Sequence, residues 1–200
     1  MKTKQVLVSW LCLLGVALSA CASAPAEPSI PRGKFDPPRS VPDFALTTQN
    51  DQPMKLSELR GKVVWLFFGY THCPDVCPLT LGQMKAVKAG LGASASQVAF
   101  VFISVDGKRD TPDVVKKFVG SFDADFIGLT GDEAAVRRIA KSYSSEFDTP
   151  TLADTHDKPY QVSHTGYSYL PDQQGRWHFV YLAQSPVETI VTDIKGLLKT

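Results

Sequence analysis

A predicted strand that ends in two closely spaced cysteines constrains this chain more than any other feature. The run Val63–Phe68 (VVWLFF) is rich in β-branched and aromatic residues, which predicts a strand buried on both faces. Cys73 and Cys77 follow this run, and each cysteine precedes a proline. Pro78 would break a helix that had begun at Cys73, but a proline is well placed in a first helical turn. We therefore predict a turn at the cysteines and a helix from about Pro78 to Leu91.

The predicted position of the two cysteines indicates chemistry as well as structure. Near a helix N-terminus, free N–H groups and the helix dipole are expected to lower the pKa of the Cys77 thiol. Two thiols that converge at such a turn can form a disulfide or bind a soft metal ion. A plain stabilising disulfide is a further alternative, but so short a loop would gain little stability from closure. We expect Cys73 and Cys77 to form the centre of the functional site.

The N-terminal residues are typical of an export signal. Lys2 and Lys4 precede an apolar run from Val6 to Leu18, which is too short to predict a transmembrane helix. The run ends in Leu-Ser-Ala-Cys21, a pattern similar to the lipobox of bacterial lipoprotein signals. This similarity implies cleavage before Cys21 and acylation of that cysteine. Ordinary signal cleavage, with Cys21 as a bystander, is the alternative.

Three segments follow from this interpretation. We expect a signal peptide at residues 1–20, a lipidated Cys21 with a flexible tether at residues 21–40, and a folded domain at residues 41–200. The tether is rich in Pro, Ser and Ala and lacks apolar periodicity. The expected location is the periplasmic side of a bacterial cell envelope, where disulfides can form and where a lipid holds the chain to a membrane. The formal net charge of +1 gives no reason to expect nucleic acid as a partner.

The order of predicted elements in residues 41–200 indicates an α/β fold. An N-terminal β-hairpin precedes alternating strands and helices, and a second hairpin precedes a closing helix. Helix starts are predicted at Thr111-Pro112 and at two capping boxes, Thr130–Glu133 and Ser185–Glu188. Residues 145–159 are predicted to be a long exposed loop. A dithiol after the central strand is typical of thioredoxin-like proteins, so we predict that fold, with a central mixed β-sheet flanked by helices.

Four blocks of this domain resemble the signatures of the Sco/SenC family of copper-binding, thioredoxin-like proteins. The first block is Phe68–Pro78 (FGYTHCPDVCP). The other three are Ser104–Pro112, Phe126–Gly131 and Ser163–Leu170, and all four occur in the family's order. The resemblance therefore extends across the whole predicted domain.

The resemblance implies a metal site and a partner. His164, in the fourth block, would be a copper ligand together with Cys73 and Cys77. Thiolates select Cu(I), and an added imidazole also permits Cu(II). A family member of this kind would be a copper chaperone for the dinuclear copper centre of cytochrome c oxidase subunit II. Other periplasmic copper chaperones or thiol reductants would be further partners.

The chain departs from the family pattern at two positions. Gly107 stands where a proline is usual, which is expected to loosen a turn. Ser163 stands where an aspartate usually precedes the histidine, which removes a carboxylate that could support the ligand. Neither departure removes a ligand. We also expect Arg109 and Asp110, in the second block, to form a salt bridge that holds a loop near the site.

A second functional class remains open at this point. Cys73 and Cys77 alone would suffice for a thiol–disulfide oxidoreductase that reduces the cysteines of the oxidase copper site before copper arrives. His164 would then be incidental, and whether the protein is a turnover enzyme stays open. A thioredoxin-fold peroxidase is a weaker alternative, because its sites lack a paired-cysteine turn with a distant histidine.

Overall fold

The computed structural model describes residues 33–150 and 159–199. The predicted signal peptide and Cys21 lie outside the described residues, as does most of the second half of the predicted loop. None of the helices within the described ranges is both long and apolar enough to span a membrane.

The described residues form ten strands and four α-helices. The strands are β1 (Gly33–Ser40), β2 (Ala45–Thr48), β3 (Pro53–Lys55), β4 (Val63–Gly69), β5 (Val98–Ser104), β6 (Ile127–Thr130), β7 (Phe147–Asp148), β8 (Ser163–His164), β9 (Tyr167–Pro171) and β10 (Arg176–Leu182). The helices are α1 (Val76–Leu91), α2 (Pro112–Gly120), α3 (Glu133–Ser142) and α4 (Val187–Leu197), with 3₁₀ turns at Leu56–Leu59 and Gly92–Gln97.

Eight of the strands form one mixed sheet in the order β1-β10-β9-β4-β5-β6-β2-β3. Strand β4 runs parallel to β5 and antiparallel to β9, and β5 runs parallel to β6. The carboxyl ends of β4 and β5 therefore lie side by side, with Gly69 opposite Ser104. Strands β7 and β8 form a separate antiparallel pair. The mixed sheet and the N-terminal hairpin of β2 and β3 confirm those parts of the predicted fold class.

Strand β4 is the centre of the core, as its sequence predicts. All seven of its residues are buried, and so are all seven residues of β5. Side chains alternate between the two faces of a strand, so Phe67 and Phe68 pack on opposite sides. Phe68 meets Tyr143 edge-on, with ring centroids 5.7 Å apart, whereas Phe67 packs near Phe102. Fully burying one such side chain stabilises the fold by about 1.5–3 kcal/mol.

The predicted tether overlaps a strand of the sheet. Residues 33–40 form β1, which pairs with the edge of β10. The ring of Phe35 lies 4.4 Å from that of Trp177, and the guanidinium of Arg39 lies 4.1 Å above Phe35. Two prolines in this segment argue against a strand in a sequence-based prediction. An edge strand nevertheless tolerates proline, because its outer N–H groups need no partner. The folded domain therefore includes residues from Gly33 onward.

The structure corrects the predicted start of α1. The helix begins at Val76 rather than Pro78, and its first i→i−4 bond runs from the N–H of Leu79 to the carbonyl of Asp75. Pro78 lies inside the first turn, where its missing N–H has no helical acceptor to lose. The predicted cap of α2 is confirmed, because the Thr111 hydroxyl accepts the N–H of Val114.

Neither predicted capping box forms. The cap of α3 is Asp132, whose carboxylate accepts the N–H of Ala135, whereas the Thr130 hydroxyl donates to the carbonyl of Asp110. The hydroxyl of Ser185 accepts the N–H of Leu182 and does not cap α4. In both cases the hydroxyl has a tertiary or turn partner that local sequence does not show.

The predicted exposed loop contains a short strand with one buried residue. Phe147, in β7, is buried and lies opposite His164 of β8 in an antiparallel pair. Two-residue strands have no readable periodicity, so sequence patterns do not predict them. This pair places His164 next to the core.

Candidate metal centre

The carboxyl end of β4 places Cys77 against the sheet. Cys77 is the second residue of α1 and is fully buried. A Cβ atom on Gly69 would lie 2.7 Å from the Cys77 sulfur and equally close to the Phe67 ring. Glycine at position 69 therefore allows the thiol to approach the end of the strand.

Cys73 lies on the turn in front of the helix and is half-buried. Its sulfur accepts the backbone N–H of Cys77 at 3.5 Å, which satisfies one of the N–H groups that the first helical turn leaves free. The two cysteines are not joined by a disulfide. The turn thus presents one buried and one accessible thiol on the same side.

Strand β8 brings His164 to the cysteines from the far end of the sequence. Its Nε2 atom lies 3.5 Å from the Cys77 sulfur. The imidazole ring packs edge-on against Tyr70 at 5.6 Å and against Phe67 at 5.9 Å. Aromatic walls on two sides hold the ring in place.

The surroundings of His164 suit a metal-binding imidazole. Burial lowers the pKa of His164, and hydrogen bonds with the backbone of Thr165 and Phe68 only partly oppose that effect. The Nδ1 atom lies 3.3 Å from the carbonyl oxygen of Thr165, which can only accept a hydrogen bond. A neutral ring protonated at Nδ1 therefore turns the lone pair of Nε2 toward Cys77. Histidine ligands commonly donate their second ring N–H in this way.

The structure brings all three predicted ligands together. The two sulfurs and the histidine nitrogen lie within 4.8 Å of one another, and they form a group able to hold a metal ion. Bonds of about 2.3 Å place two sulfurs on one metal at most about 4.6 Å apart, so only small rotations are needed. Two thiolates and an imidazole are a donor set for soft or borderline transition metals.

The predicted effect of the helix on Cys77 is wrong in direction. Burial raises the pKa of the Cys77 thiol well above its usual range, although the backbone N–H of Tyr70 opposes that effect. The Cys77 N–H donates to the Cys73 sulfur and not to the Cys77 sulfur itself. Without metal, Cys77 is protonated at neutral pH, and a metal must displace its proton to bind.

A buried carboxylate supports the cysteine turn. Asp110 is fully buried, and its oxygens accept the N–H and the hydroxyl of Thr71 at 2.9 and 2.6 Å. The hydroxyl of Ser104, at the end of β5, also donates to Asp110 at 2.6 Å. His72 lies 3.6 Å from the same carboxylate. Asp110 thus ties the residues just before Cys73 to the neighbouring strand.

Arg109 pairs with Asp106 and not, as predicted, with Asp110. The guanidinium also lies 3.6 Å above the ring of Tyr160 and donates to the Tyr160 carbonyl. Tyr160 precedes His164 in the chain, and its hydroxyl donates to Asp106. Sequence reasoning missed Tyr70, Phe147 and Tyr160, because only the fold places these rings around the histidine segment.

The two departures from the family pattern lie next to this network. A Cβ atom on Gly107 would lie 2.0 Å from the carbonyl oxygen of Gly131, so glycine permits a close backbone contact here rather than simply loosening a turn. Ser163 is exposed and lies opposite Asp148 in the β7–β8 pair. A carboxylate is therefore present on the facing strand.

Comparisons with known proteins identify similar sequences and structures. The SCO1/SenC family model matches residues 33–199. A SCO2-like protein of Rickettsia felis is 36% identical over 156 residues, which are 77% of this chain and 75% of that protein. Bradyrhizobium japonicum ScoI, solved with copper bound, is 38% identical at a TM-score of 0.71, covering 80% of this chain and 99% of its own.

Two further solved structures are also similar. A SCO1/SenC family lipoprotein from Bacillus anthracis is 29% identical at a TM-score of 0.70, covering 80% of this chain and 95% of its own. BsSco, in which a disulfide switch was identified, is a member of the Sco family of cytochrome c oxidase assembly proteins. It is 25% identical at a TM-score of 0.62, covering 81% of this chain and 95% of its own. The fold shared with these neighbours is thioredoxin-like, as predicted. Because this family model matches the whole described domain, the chain belongs to the SCO1/SenC family.

Proposed function

We propose that this protein binds copper through Cys73, Cys77 and His164 and delivers it during the assembly of cytochrome c oxidase. The convergence of two sulfurs and one imidazole nitrogen within 4.8 Å carries the proposal. Thiolates suit Cu(I), and the imidazole extends the site to Cu(II). ScoI with copper bound and the oxidase-assembly role named for BsSco support it.

The unequal burial of the ligands favours transfer by ligand exchange. Cys77 is fully buried, whereas Cys73 and His164 are only partly buried. A ligand from a partner can therefore replace Cys73 or His164 first, while Cys77 retains the metal. The recipient that we propose is the dinuclear copper centre of cytochrome c oxidase subunit II, with periplasmic copper chaperones or thiol reductants acting upstream.

Copper titration of the reduced protein tests the ligand set. We expect His164→Ala to weaken Cu(II) binding strongly and to leave Cu(I) binding partly intact, because two thiolates suffice as ligands for Cu(I). Cys73→Ser should weaken both, and oxidation to the Cys73–Cys77 disulfide should abolish binding. Unchanged copper affinity after disulfide formation would exclude the dithiol as ligand.

A thiol–disulfide oxidoreductase is the second candidate, favoured by the proximity of the two cysteine sulfurs. In that case the protein reduces the cysteines of the oxidase copper site, and His164 is not needed. Restoration of oxidase in cells lacking the protein separates the two functions. The chaperone proposal requires His164→Ala to fail despite normal expression and thiol exchange. Full restoration by His164→Ala at limiting copper, with failure of Cys73→Ser, would establish the oxidoreductase.

We also propose that the mature chain is anchored at the periplasmic side of a bacterial envelope by acylation of Cys21. The lipobox-like residues before Cys21 support this, as does the lipoprotein from Bacillus anthracis. Two acyl chains are enough for stable attachment to a membrane. The mature protein should carry acyl mass at Cys21 and sediment with membranes. A Cys21→Ala protein that stays membrane-bound with no loss of acyl mass would contradict the anchor.

A further inference from the structure

We propose that Arg109 and Arg137 are positioning residues for His164, and that they set the affinity for Cu(II) relative to Cu(I). This inference rests on the proposed copper site. Each arginine stacks on an aromatic ring and donates a hydrogen bond to the backbone carbonyl of the same aromatic residue. We call each such arrangement a clamp: the Tyr160 clamp is made by Arg109, and the Phe147 clamp by Arg137.

The Tyr160 clamp holds the chain just before the histidine. The guanidinium carbon of Arg109 lies 3.6 Å from the centroid of the Tyr160 ring, and Nη1 donates to the Tyr160 carbonyl at 2.9 Å. The Tyr160 hydroxyl donates to the buried Asp106 at 2.9 Å, and Asp106 also pairs with Arg109. The Arg109 guanidinium further lies 5.8 Å from the ring of Tyr70. Tyr70 is the ring that meets the His164 imidazole edge-on.

The Phe147 clamp holds the strand that pairs with the histidine. The guanidinium carbon of Arg137 lies 4.3 Å from the centroid of the Phe147 ring, and Nη1 donates to the Phe147 carbonyl at 2.6 Å. Nη2 of Arg137 donates to Glu133, one turn earlier on α3, at 2.7 Å. Phe147 lies directly opposite His164 in the β7–β8 pair. The two clamps therefore act on both backbones that define the position of His164.

Strand β8 needs this support because its own ladder is very short. It comprises only Ser163 and His164, and in the described residues it pairs only with the two residues of β7. An isolated two-stranded pair is marginal in water, even when it is longer than this one. Hydrogen bonds between Thr165 and Glu146 extend the pair by one residue, and packing from outside it adds to the support of the imidazole. The arginine fork is well suited to this, because one planar group stacks and donates at the same time.

The cysteines have separate support. Cys73 and Cys77 lie on the turn and first helical residues after β4, and Asp110 ties that turn to β5. The Phe147 clamp includes none of those elements. The Tyr160 clamp contacts the turn only at the ring of Tyr70, so Arg137→Gln separates the histidine from the cysteines more cleanly than Arg109→Gln does. Because Cu(I) is held by thiolates and Cu(II) prefers a nitrogen ligand, loosening the histidine segment should affect the two oxidation states unequally.

The test compares Arg109→Gln and Arg137→Gln with Arg176→Gln in the full-length, reduced protein. Arg176 pairs with Asp172 in the turn between β9 and β10, and that turn accepts the N–H of Gly61, just before β4. The control thus removes a guanidinium at the end of β4 opposite to the site. Cu(II) and Cu(I) affinities are measured by chelator competition, and nitrogen coordination is measured from the Cu(II) electron paramagnetic resonance spectrum.

We expect each clamp variant to lower Cu(II) affinity by about tenfold, a typical effect of losing a residue that orients a metal ligand. The nitrogen hyperfine pattern of the Cu(II) spectrum should change as well. Cu(I) affinity should change by less than about threefold, and Arg176→Gln should leave both affinities unchanged. Parallel losses of Cu(II) and Cu(I) affinity, or an unchanged Cu(II) spectrum in both clamp variants, would overturn the proposal.

Lysine variants and a His164→Ala control complete the experiment. If a glutamine variant folds poorly, Arg109→Lys and Arg137→Lys retain the charge but lose the planar fork, and the same selective loss is expected. Wild-type protein and His164→Ala are measured alongside. If His164→Ala binds Cu(II) as the wild type does, the proposed ligand set fails. The clamps are then judged in metal-free protein, where the nuclear magnetic resonance signals of the His164 ring should shift or broaden in the clamp variants and not in Arg176→Gln; unshifted signals would contradict them.

Discussion

The sulfur of Cys77 lies 3.5 Å from Nε2 of His164, although 87 positions separate the two residues in the chain. Cys77 is fully buried, and the half-buried Cys73 lies in front of it. Reagents and partner ligands therefore reach the site from the Cys73 side. Because burial raises the pKa of the Cys77 thiol, this inner cysteine is also protonated at neutral pH in the metal-free protein.

The two cysteines should react unequally with an alkylating reagent. In the reduced, metal-free protein, we expect iodoacetamide to modify Cys73 at least about tenfold faster than Cys77, because only the accessible thiolate reacts and each pKa unit above the working pH lowers the thiolate fraction about tenfold. Peptide mass spectrometry after short exposure measures both rates. Equal rates at about pH 7.5 would contradict the burial of Cys77.

Gly69→Ala should damage both stability and copper binding. The added Cβ would lie 2.7 Å from the Cys77 sulfur and the Phe67 ring, and overpacking of this kind costs about 1–3 kcal/mol. Gly82→Ala is the matched control, because nothing lies within 4 Å of its Cβ and the helix should gain about 0.4–1 kcal/mol. Denaturant unfolding and copper titration measure the two effects. A Gly69→Ala protein with wild-type copper affinity would show that Cys77 has room to move.

Asp110→Ala should lower the free energy of unfolding by about 1–3 kcal/mol or more, because it leaves the N–H of Thr71 and the hydroxyl of Ser104 without their acceptor. Asp123→Ala is the control. Its carboxylate pairs with Lys88 near the surface, and such a pair contributes about 0–1 kcal/mol. Equal losses in the two variants, measured by urea unfolding, would show that Asp110 does not brace the cysteine turn.

The β9–β10 turn should lose stability in acid. Burial tends to raise the pKa of Asp172, but hydrogen bonds from Arg176 and His178 outweigh it, so the pKa is lowered overall. A carboxyl with a lowered folded pKa stabilises the protein above its unfolded pKa of about 3.9, and that contribution disappears as the pH falls through the folded value. The stability difference between the wild type and Asp172→Asn should therefore shrink as the pH falls below about pH 4. A difference that grows in acid would contradict the lowered pKa.

Local patterns account for most of the secondary structure. The buried run of β4, the cysteine turn and α1 could be predicted because strand burial and first-turn proline leave clear signals in neighbouring residues. Strand β1 could not be predicted, because its two prolines are unusual in a strand. Strands β7 and β8 could not be predicted either, because two residues are too few to show an alternating pattern. Helix caps are predicted less well. Thr130 was predicted to cap α3, but its hydroxyl donates to the carbonyl of Asp110, which only the fold brings near.

The sequence by itself determined the dithiol, since Cys73 and Cys77 lie on one continuous strand–turn–helix segment whose conformation is locally encoded. It identified His164 only through its resemblance to a family, because no local signal links that residue to the cysteines. The tertiary structure alone decided that the imidazole faces Cys77, that Arg109 turns to Tyr160 rather than to Asp110, and that burial overrides the helix terminus at the Cys77 thiol. The reason is physical: distances, desolvation and hydrogen-bond partners at this site depend on atoms from segments far apart in the chain, which packing brings together.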